Sequence, residues 1–279
     1  MAGILYVVAT PIGNLEDVTL RALRVLRDVS LVAAEDTRRT ARLLQHYSIS
    51  TPTTSLHEHN EAAKTPSLVE RLVRGDAIAL VSDAGTPVVS DPGQTLIAAA
   101  REAGIRVESI PGASAVMAAV SASGLPAEEF AFVGFPPVRS KARVEWFQRI
   151  LSNTRLVVFF EAPHRILGTL TDLGRLIGLD SPLGVARELT KVHEELVVQP
   201  ISALLEHFAH PVGEFTVLIP PQTGASKPRD SPSAAELGLE LGDLTNKRHL
   251  KRREALKILA ERHGLSVNAL YKLLGNAGS

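Results

Sequence analysis

The 279-residue sequence reads as an α/β protein of two domains followed by a small all-helical extension. Three observations carry that expectation. Short apolar runs alternate with segments of helical periodicity along the first part of the chain. Loops of small residues and glycines directly follow several of these runs. A basic, helix-patterned tail comes after a stretch rich in proline, glycine and serine.

The elements follow in order. Ile4–Ala9 is a strand, Leu20, Leu23, Val25 and Leu26 mark a helix face, and Leu31–Ala34 is a second strand. Leu68, Val69, Leu72 and Val73 mark another helix before Ala77–Val81, an apolar run of the kind a buried parallel strand requires. Strands spaced by helices imply βαβ units and a largely parallel sheet. The loop Leu125-Pro126-Ala127-Glu128-Glu129 divides a first domain, residues 1–125, from a second, residues 126–220. In the second, Phe130–Phe135, Leu156–Phe160, Leu183–Arg187, Leu196–Gln199 and Phe215–Ile219 are expected strands. Helices are expected over about Arg139–Leu151 and His164–Ile177. Strands so close together near Arg187 and Val197 suggest a mixed, partly antiparallel sheet.

Residues 221–243 have the composition of a flexible linker, and 244–279 form the extension. There Ala255, Leu256, Ile258 and Leu259 share one helix face, and His263-Gly264-Leu265-Ser266 is a turn with Ser266 as N-cap. Val267, Ala269, Leu270, Leu273 and Leu274 give a second helix. Two readings stay open: a helix-turn-helix-like unit that touches nucleic acid, or an ordinary helical hairpin docked on the body.

Composition bounds the function. With 45% hydrophobic and 22% charged residues the chain can bury a sizeable core in water. The absence of cysteine excludes disulfides, thiolate metal sites and cysteine nucleophiles, and fits a reducing compartment. No basic segment precedes an apolar one at the N-terminus, and no apolar run is long enough to span a bilayer, so a cytoplasmic protein without a membrane partner is expected. Thirty basic and thirty acidic residues cancel overall but not locally. Lys247, Arg248, Lys251, Arg252, Arg253, Lys257, Arg262 and Lys272 face only Glu254 and Glu261 in the tail, which points to a polyanionic partner.

Bare backbone at the C-terminal ends of parallel strands is where open α/β sheets bind small molecules. Three loops have that character: Thr10-Pro11-Ile12-Gly13-Asn14, Ser82 to Gly93, and Pro111-Gly112-Ala113-Ser114-Ala115. Taken singly, Pro11 and Gly85 need no more than a turn to explain them. They belong to a longer ordered set, however: Ala34-Glu35-Asp36-Thr37-Arg38, Ser55-Leu56-His57-Glu58-His59-Asn60, Phe160-Glu161-Ala162-Pro163-His164-Arg165 and Ala186-Arg187-Glu188-Leu189-Thr190-Lys191. The set resembles the tetrapyrrole-methylase-like superfamily and, within it, the family that methylates the ribose 2′-oxygen of a cytidine in 16S ribosomal RNA. The likeness runs from about Leu5 to Ile219, and the tail is similar to that family's C-terminal extension.

The resemblance implies a two-domain tetrapyrrole-methylase-like (class III methyltransferase) fold, a homodimer, and S-adenosylmethionine in the cleft between the domains. It agrees with the lack of a G-x-G-x-x-G fingerprint after the first strand. It places cofactor contacts at Pro11, at Ala84, Gly85, Thr86 and Val89, at Ser114 and Ala115, at Glu161 or Ala162, and at Glu214 with Phe215. The partner it implies is 16S ribosomal RNA or the 30S subunit.

Methyl transfer to a hydroxyl is an in-line displacement that needs alignment, exclusion of water and a proton acceptor, and no metal. Lys191 paired with Glu188 is the leading candidate for the acid–base work, with Glu161 and His193 behind it. Lys191 would have to be neutral to accept a proton. The other reading of this group is a structural ion-pair cluster at a domain junction. Arg38, His57, His59, Arg165 and Arg187, with Lys247, Arg248, Lys251, Arg252 and Arg253 of the tail, are the candidate RNA contacts. His57 and His59 would share a strand face but lack a third ligand at metal-site spacing, which favours substrate contact over metal. Asp36 either caps a helix or faces the RNA, and Arg139, Lys141 and Arg143 either hold phosphate or form a solvated face. A tetrapyrrole methylase and a ligand-sensing helix-turn-helix regulator are the alternatives.

Overall fold

The computed structural model describes residues 3–221, 237, 240–241, 244–245, 252–263 and 270, with 252, 253 and 261–263 described by backbone only. The first half of the chain is β1 (Ile4–Val8), α1 (Leu20–Asp28), β2 (Leu31–Ala34), α2 (Thr37–His46), β3 (Thr53–Ser55), α3 (Glu61–Val73), β4 (Ala77–Val81), α4 (Gln94–Glu102) and β5 (Arg106–Ile110). The strands lie in the order β3-β2-β4-β1-β5, and every neighbouring pair is parallel. Apolar stripes at helical spacing explain the layers. Leu23 and Leu26 of α1 and Leu43 and Leu44 of α2 cover one face, and Leu68 and Leu72 of α3 and Leu96 of α4 cover the other. A sheet covered on both faces needs strands apolar on both, which is what Leu31–Ala34 and Ala77–Val81 supply.

The next helix, α5 (Ala115–Ala122), departs from the domain division expected at residue 125. Val116, Ala119 and Val120 are buried against Leu156, Val158, Ala186 and Leu218, so this helix packs on the second sheet. That sheet is built from β6 (Phe130–Phe132), α6 (Ser140–Leu151), β7 (Leu156–Glu161), α7 (Ile166–Ile177), β8 (Pro182–Arg187), β9 (Glu195–Pro200), α8 (Ile201–His207) and β10 (Phe215–Ile219). Its order is β6-β7-β10-β8-β9, parallel only between β6 and β7. The mixed sheet expected from the close spacing of β8 and β9 is therefore present. Trp146, Phe147, Phe159, Phe208 and Phe215 fill the core on the other face of the sheet. Trp146 and Phe159 meet nearly perpendicular, with ring centroids 5.6 Å apart.

Both sheets belong to one compact unit, Met1–Gln222, and Thr223–Ser279 forms another. Within the latter, α9 (Arg252–His263) buries Ala255, Leu256, Leu259 and Ala260, and Leu237, Leu241, Leu244 and Leu270 belong to the same small core. Ile258, expected on that face, is instead 38% exposed. Leu237 and Leu241 are helical and buried, although they fall inside the stretch read as a linker. Of the second helix expected in the tail only Leu270 is described. Among the described residues no helix is long and apolar enough to cross a membrane.

Candidate active site

The three loops singled out in the sequence leave β1, β4 and β5 at the same edge of the parallel sheet and are stitched together there. Thr10 and Gly85 exchange both backbone hydrogen bonds, at 2.9 and 3.0 Å, and the Thr10 hydroxyl donates to the Ser82 carbonyl at 3.2 Å. Ala9 N–H donates to Ile110 O at 3.2 Å, and the Thr86 hydroxyl reaches Ala113 O at 3.3 Å. Such close approach needs small residues. A Cβ on Gly112 would lie 3.0 Å from that of Ala9, and Gly85 holds a φ of +83° that a side chain would strain. Val88 and Ser90 also have positive φ, 75° and 68°, costs of about 1–3 kcal/mol each that concentrate at working loops.

α5 begins where the third loop ends. The Ser114 hydroxyl accepts from Met117 N–H and Ala118 N–H turns back to Ser114 O, so the N–H groups of Ala115 and Val116 lack an intrahelical acceptor. They point the positive end of the helix at a cavity of about 330 Å³. From this half Ile12, Ala84, Gly85, Thr86, Val89, Ser114 and Ala115 line it, joined by Ser90, Asp91 and Val116. Pro11 does not; its neighbour Ile12 does. From the second half come Glu161, Ala162, Glu214 and Phe215, together with Phe135, Phe160, Pro163 and Thr216. Phe135 and Phe160, with centroids 5.5 Å apart, make this wall apolar and aromatic.

Glu161, at the end of β7, is fully buried and fully engaged. It accepts from Ala162 N–H at 2.9 Å and from the Thr169 hydroxyl at 2.5 Å, and Arg165 Nε stands 3.2 Å from it. The carboxylate thus ties the 161–165 turn to the start of α7, with both of its oxygens already in hydrogen bonds.

The Arg187–Lys191 segment closes the junction between the halves. Glu188 and Thr190 have φ of 51° and 67°, and Thr190 Oγ1 accepts from Asn14 N–H at 3.0 Å. A Cβ on Gly13 would lie 2.5 Å from Lys191 Cγ, and one on Gly213 2.4 Å from Glu188 Cγ. Lys191 Nζ donates to Glu188 at 2.8 Å and to Glu214 at 3.1 Å. Burial works against the charge on Lys191, but the hydrogen bonds to the two carboxylates outweigh it and raise its pKa. Burial raises the Glu188 pKa, and the bonds from Lys191 and Glu214 N–H more than reverse this. The pairing of the two is as expected. The raised pKa works against the neutral Lys191 that a base would require, because two carboxylates stabilise its charge. His193 sits in an exposed turn and does not line the cavity.

A second acidic group gathers behind the first wall. Asp83 N–H donates to Glu35 at 3.3 Å, and Asp36 N–H donates to Asp83 at 2.9 Å. Asp36 also accepts from Arg38 N–H at 2.8 Å and so caps α2, while the Arg38 guanidinium bonds back to it at 2.7 Å. These bonds hold the Asp36 carboxyl well below the usual carboxylate range. Glu35 is raised, chiefly by burial. Asp91 is pushed up to about 6, by burial first; the Ser82 hydroxyl opposes this, and Glu35 and Asp83 add to it.

A family model for tetrapyrrole (corrin/porphyrin) methylases matches residues 4–205 of this chain. The chain is 47% identical over 275 residues to ribosomal RNA small subunit methyltransferase I of Synechocystis sp., covering 97% of each. It is 45% identical to the protein of the same name from Vibrio cholerae, covering 97% of this chain and 94% of that one. The chain belongs to the tetrapyrrole methylase family. Among solved structures, a diphthine synthase is similar with a TM-score of 0.63 at 18% identity, over 78% of this chain and 90% of that chain. A uroporphyrin-III C-methyltransferase from Thermus thermophilus, complexed with S-adenyl homocysteine, is similar with a TM-score of 0.56 at 18% identity, over 78% and 97%. These two show the shared fold.

Several cations expected at the RNA have partners inside the fold of this chain. Arg165, with a side chain 14% exposed, donates to Pro136 O and Pro137 O and stands beside Glu161. Arg187 lies 2.6 Å from Glu195 and over the Phe208 ring at 5.9 Å. Arg143, offered as a phosphate ligand or part of a solvated face, is half-buried and pairs with Asp172 at 2.6 Å. The partners are Glu161 one turn before Arg165, the Pro136 and Pro137 carbonyls, Glu195 on the neighbouring strand β9 and Asp172 on the following helix α7. Arg38 is 87% exposed at the C-terminal edge of the parallel sheet. His57 and His59 follow β3 at that same edge, in a turn rather than on a strand. His57 Nε2 lies 2.9 Å from Asn60 Nδ2, and the two imidazole centroids are 6.1 Å apart. Among the described residues no group of three or more His, Asp or Glu side chains could hold a metal ion. Lys247, Arg248 and Lys251 lie outside the described residues, and Arg252 and Arg253 are placed only as the first turn of α9.

Proposed function

We propose that the chain transfers a methyl group from S-adenosylmethionine to the ribose 2′-oxygen of a cytidine in 16S ribosomal RNA, within the 30S subunit. One observation favours this over a tetrapyrrole substrate. The relatives named for ribosomal RNA match 97% of the chain, basic tail included, whereas the tetrapyrrole enzyme of known structure covers 78% of it. A small porphyrinoid gives no role to an added cationic segment.

The cavity suits the donor. Bare backbone at Ala84 and Gly85 lets a planar nucleoside come close, Ala115 and Val116 N–H groups meet a carboxylate, and Phe135 and Phe160 exclude water. S-adenosylmethionine, when bound, supplies a methyl group already activated on a sulfonium. Alignment of oxygen, carbon and sulfur between two stiff walls is then the main contribution of the protein, of the kind that reaches about 7–11 kcal/mol in favourable cases. The exposed Arg38 and the cations of the tail hold the RNA, and the protein works as a cytoplasmic homodimer.

The test is to offer labelled S-adenosylmethionine with undermethylated 30S subunits, naked 16S RNA and a tetrapyrrole precursor in parallel. Label in RNA is the expected result. Label in the tetrapyrrole alone overturns the substrate and leaves the fold and donor standing.

A further inference from the structure

Three carboxylates line the cleft, and two of them are already occupied. Glu161 spends its oxygens on Ala162, Thr169 and Arg165. Glu214 is 70% exposed and pairs with Lys191. Asp91 differs from both. It is half-buried, no lysine, arginine or histidine pairs with it among the described residues, and its charged neighbours Glu35 and Asp83 are acids. Arg39 stands 3.5 Å from Asp83, and Arg38 pairs with Asp36 at 2.7 Å. The Ser82 hydroxyl, buried and without a geometric hydrogen-bond partner, is the one nearby group that favours the charged form.

The loop that carries Asp91 lies beside the segment that follows β6. Ser90 before Asp91 holds a positive φ of 68°, and a Cβ on Gly134 would lie 3.6 Å from Ser90 Oγ. The next residue, Phe135, is 52% exposed and lines the same cleft, packed on Phe160. A carboxylate and an exposed aromatic ring therefore line the same cleft, which offers a nucleotide a ring on which its base can stack and an acceptor for its ribose.

We propose that Asp91 is the catalytic base that takes the proton of the ribose 2′-hydroxyl. This rests on the ribose methylation argued above. The O–H bond breaks toward the Asp91 carboxylate as the oxygen's electron pair forms the bond to the methyl carbon. The carbon–sulfur bond breaks with its electrons passing to sulfur, which leaves as a neutral thioether. Asp91 then gives its proton to water. Burial and the two acidic neighbours make this carboxylate a stronger acceptor than an ordinary one, while it stays mostly ionised at neutral pH.

The test compares wild type with Asp91→Asn, a near-isosteric change that removes the proton acceptor. Three quantities are read: the rate of RNA methylation against pH, the affinity for S-adenosylmethionine by calorimetry, and the titration of aspartate carboxyl carbons by NMR in the protein alone. The expected loss in kcat is about 10²–10⁴-fold, with cofactor affinity changed by less than about threefold. The wild-type rate should fall on the acid side with an apparent pKa near 6, and one carboxyl resonance absent from the variant should titrate there. A variant rate within about threefold of wild type overturns the assignment. So does an Asp91 that titrates near 4, the ordinary range. Should Asp91→Asn fail to fold, the wild-type pH profile decides, and a rate with no acid limb near 6 overturns the proposal. If wild type binds the cofactor yet labels no RNA, the functional reading falls and this assignment with it.

Discussion

Replacing Glu161 by alanine tests how the second wall of the cleft is held. The Glu161 side chain is 0% exposed, and the Arg165 side chain beside it is 14% exposed. The substitution strips acceptors from Ala162 N–H and the Thr169 hydroxyl, and it leaves Arg165 with only the carbonyls of Pro136 and Pro137. Were this pair on the surface, its loss would cost about 0–1 kcal/mol. Because the charge left behind is buried, the expected loss is about 3–5 kcal/mol. Urea unfolding reports it directly through Trp146, the single tryptophan, which is buried against Phe147 and Phe159 in the same half. Glu161→Gln keeps an acceptor for Ala162 N–H and should fall between the two proteins. A loss below about 1 kcal/mol for the alanine variant refutes the reasoning, since a largely buried guanidinium deprived of its carboxylate should cost more than a surface pair. Glu161 would then be free for chemistry.

Further outcomes follow from other sites. Asp91 ionises near 3.8 when unfolded and near 6 when folded, so its contribution is fully present below 3.8 and lost as pH rises through 6. Asp91→Asn should accordingly be more stable than wild type by about 1–2 kcal/mol at about pH 8, after allowance for partial solvent screening, and equal to it below about pH 4; equal stability at both is the contrary result. Gly13→Ala drives a methyl group to 2.9 Å from Leu189 O, a backbone atom that cannot swing away, and should cost about 1–3 kcal/mol in thermal or urea unfolding. A wild-type midpoint would mean the two halves do not meet so closely. Changing Lys247, Arg248 and Lys251 together to glutamine should reduce the slope of log RNA affinity against log salt by about 2, with cofactor affinity unaltered. An unchanged slope removes the tail from the RNA interface.

The parts of the fold that were legible are those where one element meets a simple environment. Leu31–Ala34 and Ala77–Val81 are buried on both faces, and continuous apolar runs mark them without ambiguity. β3 went unseen because Thr53-Thr54-Ser55 is short, polar and at the sheet edge. β5 went unseen because, as the other edge, it exposes Arg106 and Ser109. α8 is a seven-residue helix that starts straight after Pro200, too short for periodicity to show. In the cleft the glycines and small residues of the three loops were readable, since bare backbone has a local signature. Charge partners were not. Arg143 finds Asp172 from the next helix, and Lys191 finds Glu214 across the sheet, so the same side chains that look free in sequence are spent in the fold. Asp91 was passed over for the converse reason: nothing local shows that its neighbours would be Glu35 and Asp83 rather than a cation. Phe135 extends an expected strand that in fact ends at Phe132, and the early stop is what frees its ring for the cleft.

The central claim is that this cleft delivers a methyl group to a ribose oxygen of cytidine. The most direct measurement is a single turnover on undermethylated 30S subunits, followed by digestion to nucleosides and fragmentation of the labelled product by mass spectrometry. The account predicts 2′-O-methylcytidine, with the added mass on the ribose fragment. Added mass on the cytosine ring, or on another nucleoside, would contradict it.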